Sequence, residues 1–291
     1  MTILLTGANG MLGSSIQEAL KENEVDYIST DIKGNVDCVC NLSLINELDC
    51  IINKYNIDKI INCAAWTAVD DAEDEDKKAL VYEINVKALE NICILSKKYN
   101  CKLLHISTDY VFDGRGDKPW KDDDIPNNPI NFYGYTKMLG EKIVEKLDKY
   151  FIVRIQWTYG KNGKNFVDTM LKAAQTHDEV KVVNDQIGSP TYVKDLAKVL
   201  IEMINSDKYG YYHVASSGNY ISWYDFCKEI YYQAGKTTKV IPVSSGDYGV
   251  SKAKRPNNSR LDRSKYIKSG FSKLPDWKES LNSYLKETNN L

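Results

Sequence analysis

The chain has 291 residues, and 38 Lys and Arg stand against 40 Asp and Glu, a net charge of −2. Hydrophobic residues make up 43% and charged residues 27%, a balance that excludes an intrinsically disordered chain. The slight acidity argues against a dedicated nucleic-acid binder, and no apolar run approaches the about 18 residues of a membrane span.

Thr2–Thr6 is a short apolar run ending at Gly7 and reads as a strand. The N-terminal segment has neither a basic region nor a long apolar core, so an unprocessed, cytoplasmic chain is expected. Met11–Lys21 has helical spacing, with Leu12, Ile16 and Leu20 on one stripe. Val25–Thr30 is a second strand that runs into Asp31. Leu44–Tyr55 is helical, Lys59–Ala64 is a third strand, Lys77–Asn100 one long helix and Lys102–Ser107 a fourth strand. The acidic run Asp70–Asp76 reads as a solvated helix entry, where carboxylates favour the helix dipole. Residues 108–132 carry three prolines and two glycines and read as a loop. Tyr133–Leu147 is a helix and Phe151–Ile155 a strand. This alternation predicts an α/β fold, a Rossmann-type doubly wound parallel sheet over residues 1–155.

The remainder, 156–291, is less regular and is expected to form mainly a smaller C-terminal α/β substrate lobe, with some segments returning to the core. Lys164–Thr176 and Tyr192–Asn205 read as helices, Val180–Asn184 and Tyr211–Val214 as strands. Ser222–Ala234 is a helix capped by Ser222, with Trp223, Phe226, Cys227 and Ile230 inward. Lys252–Arg263 is polar coil and Asp276–Lys286 a terminal helix.

Chemistry first appears in Thr6-Gly7-Ala8-Asn9-Gly10-Met11-Leu12-Gly13, which follows a strand and opens a helix. Gly7 permits a tight turn, Gly10 lets backbone approach a diphosphate, and Gly13 lets the helix pack close to the strand. Asp31, at the end of the second strand, stands where an acidic side chain accepts from ribose hydroxyls; a turn cap is the alternative. Lys33 nearby would suit a 2′-phosphate, so the cofactor is expected to be NADH or NADPH. Tyr133 and Lys137 share a helix face at i, i+4 spacing. An ammonium beside the hydroxyl would lower the Tyr133 pKa toward neutrality, as a general acid needs. Thr108 sits at the carboxyl edge of the fourth strand, placed to hold a substrate carbonyl or to cap the strand exit.

The seven Cys form no CxxC pair, and their number is odd, so neither disulfides nor a zinc site is expected. His105, His177 and His213 lack metal-ligand spacing and read as core or surface residues. The 20 Tyr against 6 Phe find no account in these motifs beyond Tyr133.

Glycine loop, strand-end hydroxyl and YxxxK helix, in this order, resemble the extended short-chain dehydrogenase/reductase superfamily. LLTGANGMLG (4–13), NCAAWTAVDDAE (62–73), HISTDYVFDG (105–114) with Pro119-Trp120, FYGYTKMLGE (132–141), NDQIGSPT (184–191) and RPNNSRLD (255–262) resemble its dTDP-4-dehydrorhamnose reductase family over nearly the whole chain. The resemblance implies reduction of the C4 keto group of dTDP-4-dehydro-L-rhamnose to dTDP-L-rhamnose, the last step of dTDP-rhamnose biosynthesis. It implies that residues 1–155 bind NAD(P) and the lobe binds the sugar nucleotide. Thr108, Tyr133 and Lys137 would be catalytic, with Lys137 also on the nicotinamide ribose. Gly10, Met11 and Leu12 would meet the cofactor diphosphate, Asp31 the adenosine ribose, and Asn41 and Leu42 the adenine. Ala65, Trp66 and Thr67 would line the cofactor; Trp66 stands where the family carries His. Thr108, Asp109 and Trp157 would contact the substrate, and Arg255 and Arg260 its diphosphate. Some members dimerise through magnesium held by glutamates; one of those falls near Ser15 here, so no metal is expected, and the chain is expected to be a homodimer or a monomer. Alternatives are another sugar-nucleotide epimerase or reductase of the superfamily, and a non-catalytic NADP-binding regulatory subunit.

Overall fold

The computed structural model describes residues 2–249 and 251–291. The first half runs β1 (Thr2–Thr6), α1 (Met11–Glu22), β2 (Tyr27–Asp31), β3 (Cys38–Val39), α2 (Ile45–Lys54) and β4 (Ile57–Asn62). It continues through α3 (Glu75–Tyr82), α4 (Ala88–Tyr99), β5 (Lys102–Thr108), α5 (Phe132–Val144) and β6 (Tyr150–Ile155). The second half comprises β7 (Thr158–Tyr159), α6 (Phe166–Ala173), β8 (Glu179–Val183), β9 (Ile187–Gly188), β10 (Thr191–Tyr192) and α7 (Val193–Ile204). It ends with β11 (Gly210–His213), β12 (Ile221–Ser222), α8 (Trp223–Gln233), β13 (Lys239–Val243), α9 (Ser245–Tyr248), α10 (Ser264–Lys268) and α11 (Trp277–Glu287). Among the described residues, no helix is long and apolar enough to cross a membrane.

The central sheet is wholly parallel, in the order β3-β2-β1-β4-β5-β6-β11. Its inner strands are apolar on both faces because both faces are covered. Ile3 and Leu5 point into one layer with Ile16 and Leu20 of α1 and Leu196 and Leu200 of α7. Leu4 points into the other, with Leu48 of α2 and Leu89 and Ile92 of α4. Each such side chain contributes about 1.5–3 kcal/mol of burial free energy. The order turns back at β1 and β4, which opens a crevice at the carboxyl ends of the strands. Residues 193–213 return to this layer: α7 packs on α1, and β11 pairs with β6 from Gly210↔Phe151 to His213↔Arg154.

Two differences from the sequence reading have clear causes. The long helix expected over 77–100 is interrupted by a π-helical turn at Glu83–Lys87. That turn points Asn85 inward, where Oδ1 accepts from the Trp66 N–H at 2.8 Å and Nδ2 donates to Thr136 Oγ1 at 3.0 Å. Strand β13 was hidden by Pro242; it pairs only with β8, and the free edge of a two-stranded sheet tolerates proline.

The lobe core is aromatic. Tyr159, Tyr192 and Tyr284 pack against one another, and Tyr159 against Phe226. Several of the lobe's hydroxyls find partners: Tyr192 on Glu287, Tyr284 on Asp168, Tyr231 on the Met170 carbonyl. Part of the tyrosine surplus thus builds a core in which most of the polar tips named here are satisfied, while the buried Tyr159 hydroxyl has no partner among the described residues.

Candidate active site

Two glycines of the first turn stand at contacts that leave no room for a side chain. A Cβ on Gly7, which sits at φ +64°, would lie 2.6 Å from the Ala64 nitrogen. A Cβ on Gly13 would lie 2.2 Å from the Gly7 oxygen, so α1 can close on the loop only with glycine there. Gly10 is the N-cap of α1 and brings no side-chain acceptor to the first turn, which also lacks an acidic residue. The first-turn N–H groups are therefore available to an anion.

Gly10 lines two neighbouring cavities. The first, about 250 Å³, is walled by Gly7, Asp31, Asn41, Leu42 and Ala65. Its size and lining fit the adenosine of a dinucleotide. Asp31 accepts from the Asn9 N–H at 3.0 Å and the Ile32 N–H at 2.8 Å, so it braces the glycine loop as well as facing the cavity. The second cavity, about 390 Å³, brings together Met11, Leu12, Thr67, Thr108, Tyr133 and Lys137.

Tyr133 and Lys137 lie on α5, whose N-cap Asn131 accepts from the Gly134 N–H at 2.8 Å. Gly134 is obligatory, since a Cβ there would lie 2.2 Å from the Tyr110 oxygen. Tyr110 packs edge-on against Tyr133 with ring centroids 5.8 Å apart. Burial pushes the Tyr133 hydroxyl above its ordinary range, and only a hydrogen bond with Thr108 works against this. The expected lowering by Lys137 is not seen. The Lys137 ammonium is turned to the Ile106 carbonyl oxygen, 2.7 Å away, and to His105 Nε2 at 3.2 Å. Burial pushes Lys137 itself down to about 8, although Glu141 and Cys63 oppose the shift. Burial, with the Lys137 charge second, holds His105 well below its usual range, so the ring is neutral.

Behind this wall, Glu141 and Arg154 are 99% buried. Arg154 donates twice, Nε to Glu141 Oε1 at 2.9 Å and Nη2 to Oε2 at 2.8 Å. Ser107 donates to the same Oε1 at 2.5 Å, which ties α5 to β5 and β6.

The far wall carries Trp157, which the resemblance singles out, and two residues that the sequence reading did not place in the site, Trp223 and Gln156. Trp157 has φ +48°, a left-handed backbone unusual for a bulky side chain, and its ring stacks on Trp223 with centroids 3.8 Å apart. Trp223, read from sequence as an inward core residue, lines this cavity too, and so does Gln156. Gln156 follows the end of β6 as Asp109 follows β5; position after a parallel strand was the signal that could have found it. Burial pushes Asp109 up to about 7, with Ser259 and Thr108 opposing.

Other expected residues lie elsewhere. Trp66 lines neither cavity and donates its ring N–H to the Ala68 oxygen at 3.0 Å. Arg255 is committed to Asp70 by two bonds of 3.1 and 2.8 Å. Arg260 donates to Asn258 Oδ1 at 2.9 Å, and neither arginine lines these cavities. The acidic run is more than a solvated entry: Asp70 and Asp74 clasp the coil at Lys252, Ala253 and Arg255.

The family model for the RmlD substrate binding domain matches residues 1–290. The chain is 38% identical over 286 residues to the spore coat polysaccharide biosynthesis protein SpsK of Bacillus subtilis, covering 98% of this chain and 97% of that one. It is 38% identical over 299 residues to dTDP-4-dehydrorhamnose reductase of Aggregatibacter actinomycetemcomitans, covering 96% of each. The crystal structure of dTDP-4-dehydrorhamnose reductase from Bacillus anthracis in complex with NADP superimposes with a TM-score of 0.91 at 39% identity, covering 98% of this chain and 99% of that one.

Proposed function

This chain belongs to the RmlD substrate binding domain family, and from that membership we propose that it catalyses the NAD(P)H-dependent reduction of the C4 keto group of dTDP-4-dehydro-L-rhamnose to dTDP-L-rhamnose, the last step of dTDP-rhamnose biosynthesis. It is an oxidoreductase with a sugar-nucleotide substrate. The observation that carries the reading is the junction of its two cavities. Gly10, Cys63 and Ala65 line both, so a dinucleotide seated on the glycine loop would reach the wall holding Thr108, Tyr133 and Lys137.

Bound NAD(P)H supplies the hydride that reaches the sugar C4. Tyr133 donates its proton to the C4 oxygen as alkoxide charge develops. Burial keeps the hydroxyl protonated, the form a proton donor requires. Thr108 orients the carbonyl oxygen beside it. Lys137, anchored on Ile106, brings positive charge to the site and would hold the nicotinamide ribose. Trp157, steadied by Trp223, presents a flat apolar face to the sugar nucleotide. We place the reaction in the cytoplasm, in keeping with seven free cysteines.

The test is NAD(P)H oxidation with dTDP-4-dehydro-L-rhamnose, run beside UDP- and GDP-linked keto sugars. Tyr133→Phe should retain cofactor binding and lose about 10²- to 10⁴-fold in kcat. Purified protein carrying one tightly held NAD per chain would replace this reading with that of an epimerase, and absence of oxidation together with a tight protein partner would replace it with that of a non-catalytic NADP-binding subunit.

A further inference from the structure

Among the described residues, two buried polar atoms in the wall of the second cavity have no partner at hydrogen-bonding geometry, Asp109 Oδ2 and Gln156 Nε2, although the Ser259 hydroxyl stands near enough to the Asp109 carboxyl to oppose the effect of burial on its pKa. Each residue is only 2% exposed. An unpaired buried polar group costs about 1–3 kcal/mol, so two in one wall call for an explanation. The other end of each side chain is already engaged. Thr108 Oγ1 donates to Asp109 Oδ1 at 3.2 Å. The Ser189 N–H donates to Gln156 Oε1 at 3.1 Å, and an N–H can bond only the amide oxygen, so the Gln156 NH₂ is left over.

The two residues are also neighbours by topology. Thr108 and Ile155 are register partners of the parallel strands β5 and β6, and Asp109 and Gln156 are the next residue on each. Above about pH 7, where Asp109 is ionised, one orphan is an acceptor and the other a donor, each on the residue that follows a register pair at the sheet's carboxyl edge. A hydroxyl satisfies both, since it donates and accepts through a single oxygen. Thr108, bonded to Asp109, is also the hydroxyl beside Tyr133, so the pair stands next to the place where the C4 oxygen receives its proton.

Resting on the reductase reading above, we propose that Asp109 and Gln156 form a clamp for the hydroxyl on C3 of the sugar, adjacent to the reacting carbonyl. The hydroxyl donates to Asp109 Oδ2 and accepts from Gln156 Nε2. This fixes the ring so that C4 faces the proton donor. It makes Gln156 a specificity-determining residue for the sugar, independent of the nucleotide.

The experiment compares the wild type with Gln156→Glu, which keeps an oxygen for the Ser189 N–H and removes the donor. The substrate is used in two forms, dTDP-4-dehydro-L-rhamnose and its 3-deoxy analogue. The wild type should lose at least about 100-fold in kcat/KM on the analogue, because both polar groups are then left unpaired. Gln156→Glu should raise KM for the full substrate at least about tenfold. It should leave dTDP binding and the NAD(P)H KM within about twofold, and discriminate poorly between the two sugars. Equal kcat/KM of the wild type on both sugars overturns the clamp whether or not the variant folds. An unchanged KM in folded Gln156→Glu overturns the part assigned to Gln156. If the wild type turns over neither sugar, the reductase reading fails instead.

Discussion

Lys137 Nζ lies 3.2 Å from His105 Nε2, and His105 Nδ1 lies 3.0 Å from Asn62 Nδ2, whose amide oxygen accepts from Thr6. A chain of polar side chains thus runs from Lys137 through β5 and β4 to β1. All four residues are at most 2% exposed, so no water competes for these bonds. A charged Lys137 needs an acceptor at Nε2, which places the imidazole proton on Nδ1 and requires the Asn62 amide to turn over, its oxygen to the ring and its NH₂ to Thr6. A neutral Lys137 suits the reverse arrangement.

Burial pushes Lys137 down to about 8. The sign follows directly: the ammonium is present below that value and lost as pH rises through it. Activity that depends on the charge should therefore decline above about pH 8, well before a free lysine would titrate. A kcat/KM profile under saturating cofactor checks this; a rate that holds constant to about pH 10 contradicts it.

His105→Leu removes the neutral acceptor that favours the ammonium. The alkaline decline should then begin at lower pH, and kcat at neutral pH should fall about tenfold. His105→Gln, which returns an amide oxygen, should recover most of both. A packing role alone would lower the melting temperature without moving the pH profile.

Glu141 and Arg154 are both 99% buried, and the pair braces β5, β6 and α5. Arg154→Met would leave the Glu141 carboxylate buried and unpaired. The loss should be about 3–5 kcal/mol in urea denaturation, well above that of a surface ion pair. A loss under about 1 kcal/mol would show that the site relaxes around the missing charge.

Asp31 accepts two backbone N–H groups and faces the first cavity, where the proposed reading seats the adenosine. Asp31→Ala should raise the NADH KM about tenfold, about 1.4 kcal/mol, and the NADPH KM much less, since a 2′-phosphate gains from removal of the carboxylate. Steady-state kinetics with both cofactors decides the matter; equal increases would confine Asp31 to loop bracing.

Gly188 packs against Gln156 and Trp157 in the wall of the second cavity. A Cβ there would lie 2.6 Å from Gln156 Oε1 and 2.7 Å from the Trp157 ring. Gly188→Ala should displace both side chains and lower kcat/KM for the sugar nucleotide at least about tenfold, with NAD(P)H binding retained. Unaltered kinetics would mean that neither side chain's position matters to substrate.

Much of this was legible in the chain. Gly7, Gly10 and Gly13 were readable because strand, turn and helix are local, and each glycine answers a contact within the same unit or its neighbour. Tyr133, Lys137 and Thr108 were readable because helix spacing and strand ends place side chains predictably. The Trp157–Trp223 stack was not, because it joins residues 66 positions apart whose meeting depends on the lobe's packing. Nor was the engagement of Arg255 by Asp70, two residues that read separately as loop charge and solvated acid.

What the sequence determined by itself was periodicity and punctuation: a parallel α/β core, a dinucleotide turn and a tyrosine–lysine helix. Those follow from local sterics and from burial of apolar faces. Only the tertiary structure decided the electrostatics. Whether Lys137 acts on Tyr133 or bonds Ile106 and His105, and whether Asp109 and Gln156 are left unpaired, depends on desolvation and on partners from distant strands. Both are set by how the layers close, and no stretch of chain carries that information alone.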